Sequence, residues 1–377
     1  MAGLGETPRG DRLRIVFLGL RNAGKSTLVN LFSGQKISIV SDVAGTTTDP
    51  VSKAMEILPL GPCVVVDTAG LDDEGELGRM RVAKTLEVLD TADIAVWVEA
   101  GASDEATPHF KKVAGKCAAK RIPLVVHRRG DSVEGLKEKI SAMDPGERQR
   151  PLLESLAGPG SRVVCVCPID ESAPKGRLIL PQVQTIRECI DAGATCTVCD
   201  PSTLPAALAQ TGGEGTLVVT DSQAFAKVRN AIAGTGARLT SFSILFARRK
   251  GDLAAYREGL AAIGRLKDGD RVLVAEGCTH KRQCNDIGTV KIPAALRKTT
   301  GRSLVFDFAS GGSFSPEAGG ARYALVVQCG GCMLTRRETL ARIAACRAAR
   351  IPVVNYGMLL AAAAGMDAVN EDGTVES

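Results

Sequence analysis

The sequence predicts an α/β protein with parallel sheets, arranged as three successive units. Three observations carry that reading. Short runs rich in Val and Ile alternate with helix-like stretches along the whole chain, the pattern of strand–helix–strand units. The first of these runs leads into a glycine-rich loop motif and then a helix, the context that motif requires. Cysteines gather at the ends of later strand-like runs, where open α/β sheets build their sites.

The elements follow in order. Arg14–Leu18, Cys63–Val66, Ile94–Val98, Leu124–Val126 and Val163–Cys167 are short, apolar and rich in β-branched residues, and read as the strands of a first unit. Glu76–Ala92 and Val133–Met143 are helices between them, and Asp144–Ser161 is a polar loop inside the same unit. The second unit has a helix from near Leu178 through Ile190, strands at Thr195–Val198 and Leu217–Thr220, a helix from Ser222 and an apolar stretch at Thr240–Phe246. A charged segment, Ala247–Asp252, then leads into helix Leu253–Leu266. The third unit starts at Arg271, with strands at Val272–Ala275, Leu304–Phe308, Leu325–Gln328 and Val353–Asn355. The expected domains are therefore residues 1–174, 175–266 and 267–377.

Composition agrees and sets limits. At roughly 150 residues per domain, 377 residues make two or three domains. Aromatic residues are only 3%, so Val, Ile, Leu and Ala must build the cores. A net charge of +5 is too mild to argue for nucleic acid by itself. Cysteines number 12, far below the density of a disulfide scaffold. Met1–Arg14 has no apolar signal core, and the uncharged run Ile351–Met366 is broken by Pro352, Asn355 and Gly357, too short to cross a bilayer. The expectation is a cytoplasmic protein without a membrane segment, its thiols reduced and its specially spaced cysteines acting as metal ligands or redox groups.

Gly19-Leu20-Arg21-Asn22-Ala23-Gly24-Lys25-Ser26-Thr27 fits G-x-x-x-x-G-K-[ST] between a strand and a helix. In such a loop the backbone N–H groups curl around a β-phosphate, Lys25 neutralises the β/γ oxygens, and the Ser26 hydroxyl holds Mg²⁺. Asp67-Thr68-Ala69-Gly70 follows the strand Cys63–Val66. A carboxylate at a strand end followed by Gly70 suits a Mg²⁺ site and a γ-phosphate sensor. Gly45-Thr46-Thr47-Thr48-Asp49 lies between the two, where a switch loop belongs.

These three pieces resemble the translation-factor-related GTPases of the Era/TrmE kind. The resemblance implies GTP as nucleotide, Thr47 completing the Mg²⁺ shell, and Asn22 as the loop asparagine of potassium-activated members, where K⁺ takes the place of an arginine finger. Leu71 stands where other GTPases carry a water-orienting glutamine, so intrinsic hydrolysis is expected to be slow. At the base-selecting segment, N-K-x-D in that family, this chain reads Arg128-Arg129-Gly130-Asp131. Asp131 keeps the carboxylate, Arg129 takes the lysine position and Arg128 replaces the asparagine.

Cys278-Thr279-His280 follows the strand Val272–Ala275. Cys329-Gly330-Gly331-Cys332 follows the strand Leu325–Gln328 and opens a helix-like run to Arg350. Cys329 and Cys332 are thus expected at a helix N-terminus, which lowers a thiol pKa. Three thiolates and an imidazole could hold Zn²⁺ or an iron–sulfur cluster, and three thiolates leave one cluster iron open to exchange. Cys284, six residues beyond Cys278, ranks below these. Lys281, Arg282, Lys291, Arg297, Lys298 and Arg302 make the third unit locally basic, as a solvated surface or as an electropositive cavity. Cys196-Thr197-Val198-Cys199 has no second pair or histidine near it in sequence and reads as packing. So do Cys165 and Cys167 on one strand face, and Cys63, Cys117, Cys189 and Cys346 in apolar patterns.

The loop motif, the middle unit and the terminal C-x-H…C-x-x-C together resemble the HydF family of FeFe-hydrogenase maturation GTPases. Lys175–Arg187, Leu239–Ala247, Asp286–Pro293 and Asn355-Tyr356-Gly357 also fit, and the likeness runs from about Arg12 to Met366. It implies a P-loop GTPase domain, a small α/β dimerisation domain and an α/β cluster-binding domain. It implies a 4Fe–4S cluster on Cys278, Cys329, Cys332 and His280, and a scaffold that receives a di-iron subcluster precursor from radical-SAM maturases and delivers it to apo FeFe-hydrogenase. A homodimer is implied as well. Family members often carry histidine directly before the C-x-x-C, and here that residue is Gln328. An RNA-associated GTPase of the Era/TrmE type with a zinc site is the competing reading. Against nucleic acid, the chain has no G-x-x-G flanked by a basic helix and no aromatic stacking platform, with one Trp and three Tyr.

Overall fold

The computed structural model describes residues 9–34, 50–58, 60–101, 104–143, 150–169, 175–277, 286–311, 316, 322–331, 334–365 and 369–375. The chain divides into two compact units, residues 7–148 and residues 149–377.

In the first unit β1 (Leu13–Gly19) is followed by α1 (Lys25–Ser33), β2 (Val51–Ile57), β3 (Gly61–Asp67), α2 (Gly75–Leu89), β4 (Ile94–Val98), α3 (Pro108–Ala119), β5 (Leu124–His127) and α4 (Val133–Ala142). The sheet order is β2-β3-β1-β4-β5, with only β2 antiparallel. β1 lies at its centre, where Val16 pairs with Val66 on one side and Ala95 on the other. A strand buried on both faces needs an unbroken apolar run, which is why Ile-Val-Phe-Leu stands there. Its odd and even residues feed two cores. Ile15 and Phe17 meet Phe32, Leu136 and Ile140, while Val16 and Leu18 meet Leu89, Trp97, Val113 and Cys117. β2 is the exposed edge; its half-polar sequence carries too little apolar alternation to read as a strand.

The second unit holds two four-stranded sheets. The first is built from β6 (Arg162–Val166), β7 (Thr195–Cys199), β8 (Leu217–Thr220) and β9 (Arg238–Ser241), in the order β7-β6-β8-β9. Between and after them run α5 (Leu180–Asp191), α6 (Leu204–Thr211), α7 (Phe225–Ile232), α8 (Phe242–Lys250) and α9 (Leu253–Ile263). The second sheet is β10 (Arg271–Glu276), β11 (Val305–Ser310), β12 (Leu325–Gln328) and β13 (Val353–Asn355), in the order β11-β10-β12-β13. Its helices are α10 (Ile292–Thr300), α11 (Arg336–Ala348) and α12 (Tyr356–Ala363). All pairings within both sheets are parallel.

Three expectations are corrected. The strand expected to close the first unit is β6, which pairs with β7 and β8, so the junction placed at 174 falls inside the second unit. The preceding segment belongs there too: Leu152, Leu153 and Leu156 are buried against β6, α5 and α8. A strand run carries no label for which sheet receives it, and here the polar stretch before it is the real break. The charged segment Ala247–Lys250 is the last turn of α8, not a linker. α9, expected to end the middle domain, packs instead on β13 and β12 of the last sheet.

β6 is the second strand of its sheet, flanked on both edges. We therefore expect the fragment 150–377 to give a cooperative urea transition by circular dichroism and the fragment 175–377, which lacks β6, to give none. Cooperative unfolding of the shorter fragment would place the junction at 174 after all.

Candidate functional site

The loop after β1 is shaped by two backbone positions. Gly24, just before α1, has φ of 87° and Asn22 has φ of 59°, both left-handed, so the loop folds back over the start of the helix. Lys25 is buried, and its Nζ donates to the carbonyls of Leu20 (2.6 Å) and Gly19 (3.3 Å). Burial pulls the Lys25 pKa down, while the carboxylates of Asp67, Asp72 and Asp73 offset it. A lysine so held is stretched across the loop, ready to trade carbonyls for phosphate oxygens. Ala23 is half-buried and Thr27 exposed beside it.

β1 and β3 are neighbours, so the loop at the end of one meets the end of the other. Ser26 Oγ donates to Asp67 Oδ2 at 2.6 Å. Asp67 is fully buried, and its Oδ1 has no hydrogen-bond partner among the described residues. A buried carboxylate oxygen left over beside a serine hydroxyl is what a hard cation with oxygen ligands fits, and Mg²⁺ is that cation. Gly70 comes so close to the loop that a Cβ there would lie 2.9 Å from the Arg21 nitrogen. The next two residues are bonded across the gap: Leu71 N–H donates to Gly19 O (3.2 Å), and Arg21 N–H to Asp72 Oδ1 (2.6 Å). The Leu71 side chain is buried in the core and offers nothing to a water molecule. Thr47 lies outside the described residues.

After β5, Asp131 Oδ2 accepts the Arg128 backbone N–H (3.1 Å) and lies 3.5 Å from Lys139. That backbone hydrogen bond, more than the lysine, holds its carboxyl below the ordinary value. Arg128, in the asparagine position, is engaged elsewhere, with Glu105 (2.7 Å) and Glu99 (3.6 Å). His127 is a buried strand-end residue whose burial keeps it neutral to lower pH than usual.

In the second unit, Cys329 leaves the carboxyl end of β12 and is half-buried. The Gly277 N–H, one residue beyond β10, donates to its Sγ at 3.1 Å. Gly277 directly precedes Cys278 in sequence and Cys329 opens the C-x-x-C, so the bond joins the ends of the two paired strands that lead into the cysteine motifs. Cys278, His280, Cys284 and Cys332 themselves lie outside the described residues. The expected helix N-terminus is corrected. α11 starts at Arg336, with Thr335 as its cap and Glu338 closing the capping box, so the Cys329–Gly331 stretch is loop. Gly331, at φ of 66°, keeps the helix from starting earlier. Gln328 is buried, and its amide donates to the Tyr256 hydroxyl at 3.3 Å, directed into the core.

Of the expected cations, Lys281 and Arg282 lie outside the described residues and Lys298 is exposed. Lys291 bonds Gln223 (2.7 Å), Arg302 pairs with Asp268 (3.2 Å) and Arg297 stacks over Phe306 (5.0 Å), so these three are spent on the surface. Lys250 and Arg342 were missed, and both are buried. Lys250, the last residue of α8, sends its Nζ to the carbonyls of Gly331 (3.1 Å) and Leu334 (3.0 Å). Burial lowers the Arg342 pKa, and the charge of Cys329 works against that. Lys250 carried no local sign, since a lysine closing a basic helix end looks solvated; only its tertiary contacts reveal it.

The fold and the loop after β1 define a P-loop GTPase domain joined to two further α/β domains. Residues 14–128 match the 50S ribosome-binding GTPase family, residues 152–251 the hydrogen maturase F dimerization domain, and residues 254–369 the hydrogen maturase F tetramerization domain. The two maturase models together take in more than half of the chain, and the chain belongs to the hydrogen maturase F family. Its middle and last domains are thus oligomerisation domains. Curated relatives match the first domain. GTPase Der of Campylobacter hominis is 34% identical over 118 residues, 30% of this chain and 25% of that protein. The tRNA modification GTPase MnmE of Methylobacterium sp. (strain 4-46) is 36% identical over 137 residues, 35% of this chain and 28% of that protein. The chain therefore spans only about a quarter of the length of these relatives. Among solved structures, Aquifex aeolicus Era bound to GDP and aluminium fluoride covers 79% of this chain at 16% identity with a TM-score of 0.27. No described helix is long and apolar enough to cross a membrane.

Lys250→Met would leave the carbonyls of Gly331 and Leu334 without this donor. With each buried unsatisfied carbonyl costing about 1–3 kcal/mol, we expect a loss on the order of 2–6 kcal/mol. Urea denaturation of the two proteins side by side measures it. An unchanged midpoint would mean the ammonium contributes nothing to holding the loop.

Proposed function

We propose that the chain is a GTP-switched scaffold of FeFe-hydrogenase maturation. In this reading it carries a 4Fe–4S cluster in its last domain and passes a di-iron subcluster precursor, as cargo, from radical-SAM maturases to apo-hydrogenase. The observation that carries it is the hydrogen bond from the Gly277 N–H to the Cys329 sulfur, which joins the residue before Cys278 to the first cysteine of the C-x-x-C. Cys278, Cys329 and Cys332 would be the thiolate ligands, and His280 the exchangeable fourth. The donor set fits: N–H to sulfur hydrogen bonds and a buried cation are what tune such ligands, and Gly277 and Arg342 stand beside Cys329. When bound, the cluster supplies an iron with one replaceable ligand, where cargo can dock.

The chain's own residues then do the switching. Lys25 would release the Leu20 and Gly19 carbonyls to bind phosphate, and Ser26, Asp67 and Thr47 are the residues that would hold Mg²⁺, which would neutralise the phosphate charge. The hydrogen bonds of Leu71 and Asp72 to the loop tie the Gly70 segment to the nucleotide's presence, so that hydrolysis moves α2. With Leu71 buried, no side chain at that position orients water. The reaction is a slow timer, assisted by K⁺ on the exposed Asn22. Asp131 would read guanine with Arg129 replacing the usual lysine. The protein would act as a cytoplasmic homodimer or a larger assembly of its two oligomerisation domains.

Iron and sulfide measured on anaerobically purified protein test this reading. Cys329→Ser should lose the cluster, whereas Lys25→Ala should lose hydrolysis and keep it, because the two sites belong to different units. Full iron in Cys329→Ser would overturn the ligand set, and iron lost from Lys25→Ala would overturn the division of labour. Separately, GTP hydrolysis should run several-fold faster in KCl than in NaCl. Equal rates would remove Asn22 from the cation site.

A further inference from the structure

The middle domain holds a second gathering of sulfur that the sequence dispersed. Cys165 on β6, Cys189 on α5 and Cys196 on β7 bring their Sγ atoms within 4.8 Å of one another, and Cys165 and Cys196 are 3.7 Å apart. We propose that Cys165, Cys189 and Cys196 form a three-thiolate site for a single thiophilic divalent ion, Zn²⁺ being the natural occupant. This site is separate from the cluster ligands of the last domain and does not rest on the maturation reading.

Three features carry the assignment. The first is distance. With Zn–S bonds of about 2.3 Å, sulfurs sharing one tetrahedral ion lie about 3.8 Å apart; the Cys165–Cys196 pair already stands at 3.7 Å, and no pair in the trio is more than 4.8 Å apart. Thiolates on separate irons of a cubane point outward from its corners and stand further apart, which argues against a 4Fe–4S cluster here. The second is charge. Three thiolates around a divalent ion leave one net negative charge, and around Cu⁺ they leave two, a heavier load beside the apolar residues Leu217, Phe242 and Phe246. The third is access. Cys165 and Cys189 are fully buried, but Cys196 is half-buried on the edge strand β7, so an ion has a route in and an open fourth position. Each of the three thiols releases its proton to solvent as its sulfur–metal bond forms.

Binding would pin edge strand β7 to central strand β6 and helix α5 in the domain that matches the maturase dimerization family. Cys199 supplies the internal control. It belongs to the nearby C-x-x-C but packs on the opposite face of the sheet, against the other core.

The test uses the full-length chain with Cys278, Cys329 and Cys332 replaced by Ser, which silences the last domain's set. Reduced, chelator-treated protein is titrated anaerobically with Co²⁺ and then with Zn²⁺. We expect one Co²⁺ per chain with a sulfur-to-cobalt charge-transfer band, displaced by Zn²⁺, and a rise in melting temperature with Zn²⁺. Cys196→Ser and Cys189→Ser should each lose the band, and Cys199→Ser should keep it. Because Cys196 sits half-exposed at an edge, its Ser variant should retain the fold, which circular dichroism checks. No band in the parent, or a band that survives Cys196→Ser, overturns the site. So does loss of the band in Cys199→Ser with Cys196→Ser unaffected. Metal-free protein that merely forms a Cys165–Cys196 disulfide in air would show a thiol pair and not a metal site.

Discussion

Parallel strand pairing is the constraint on which this molecule depends. Strands that run side by side in one direction all end on one edge, and each must hand its chain to a loop there. In the first unit the ends of β1, β3 and β5 deliver Lys25, Asp67 and Asp131. In the second unit the ends of β10 and β12 deliver Gly277 and Cys329. Residues far apart in sequence meet because register makes their strands stop together. The apolar interior of each strand provides the stiffness, and the polar chemistry lies at the strand's last residue, as with Asp67, or in the few residues that follow it, as with Lys25, Asp131 and Cys329.

The two sites use that edge differently. At the nucleotide loop most of the polar groups named above bond one another, with Asp67 Oδ1 left over: Lys25 caps carbonyls, Ser26 bonds Asp67 Oδ2, and Arg21 bonds Asp72. A ligand there must displace internal hydrogen bonds, so binding necessarily moves what those bonds hold. That is a good arrangement for a switch. At the Cys329 loop, support comes from behind, through Lys250 of α8 and Arg342 of α11, both buried. Buried cations are costly unless each finds partners: Lys250 has the carbonyls of Gly331 and Leu334, and Arg342 the carbonyl of Gly311 at 2.6 Å. Lys250 thereby ties the loop to α8, which suits a site meant to hold its ligands in place.

How much of this could be read from the sequence follows from what local pattern encodes. β1, β4, β8, β12 and β13 were legible because fully buried parallel strands are unbroken Val, Ile and Leu runs. The phosphate loop was legible because its glycines and its lysine are adjacent in sequence. β2 was not, since an exposed edge strand such as Val51–Ile57 has no apolar face to declare it. The sheet that receives β6 was not legible either, because pairing partners are chosen across the chain. The start of α11 was misplaced because the run after Cys329 looks helical in composition, while the capping box at Thr335 and Glu338 decides the matter. Lys250 was hidden for a related reason: only contacts to Gly331 and Leu334, about eighty residues away, set it apart from its neighbours Arg248 and Arg249.

The sulfur trio of the middle domain shows the same limit from its other side. Spacing singled out Cys196 and Cys199 as a pair, yet a strand alternates its faces every residue, so two cysteines three apart on one strand point to opposite sides. The pairing that matters runs across the sheet, from Cys196 to Cys165, and down from helix α5 to Cys189. A C-x-x-C acts as a chelating unit only where the backbone turns between its cysteines, as Gly330 and Gly331 let it turn after Cys329. On an extended strand the same four letters scatter their sulfurs, and the ligand set must be assembled from neighbouring elements. Secondary structure therefore decides which cysteine motif is a motif at all: the one that follows β12 starts in a loop at Cys329–Gly331, while the one inside β7 offers a single sulfur to the trio that three elements share.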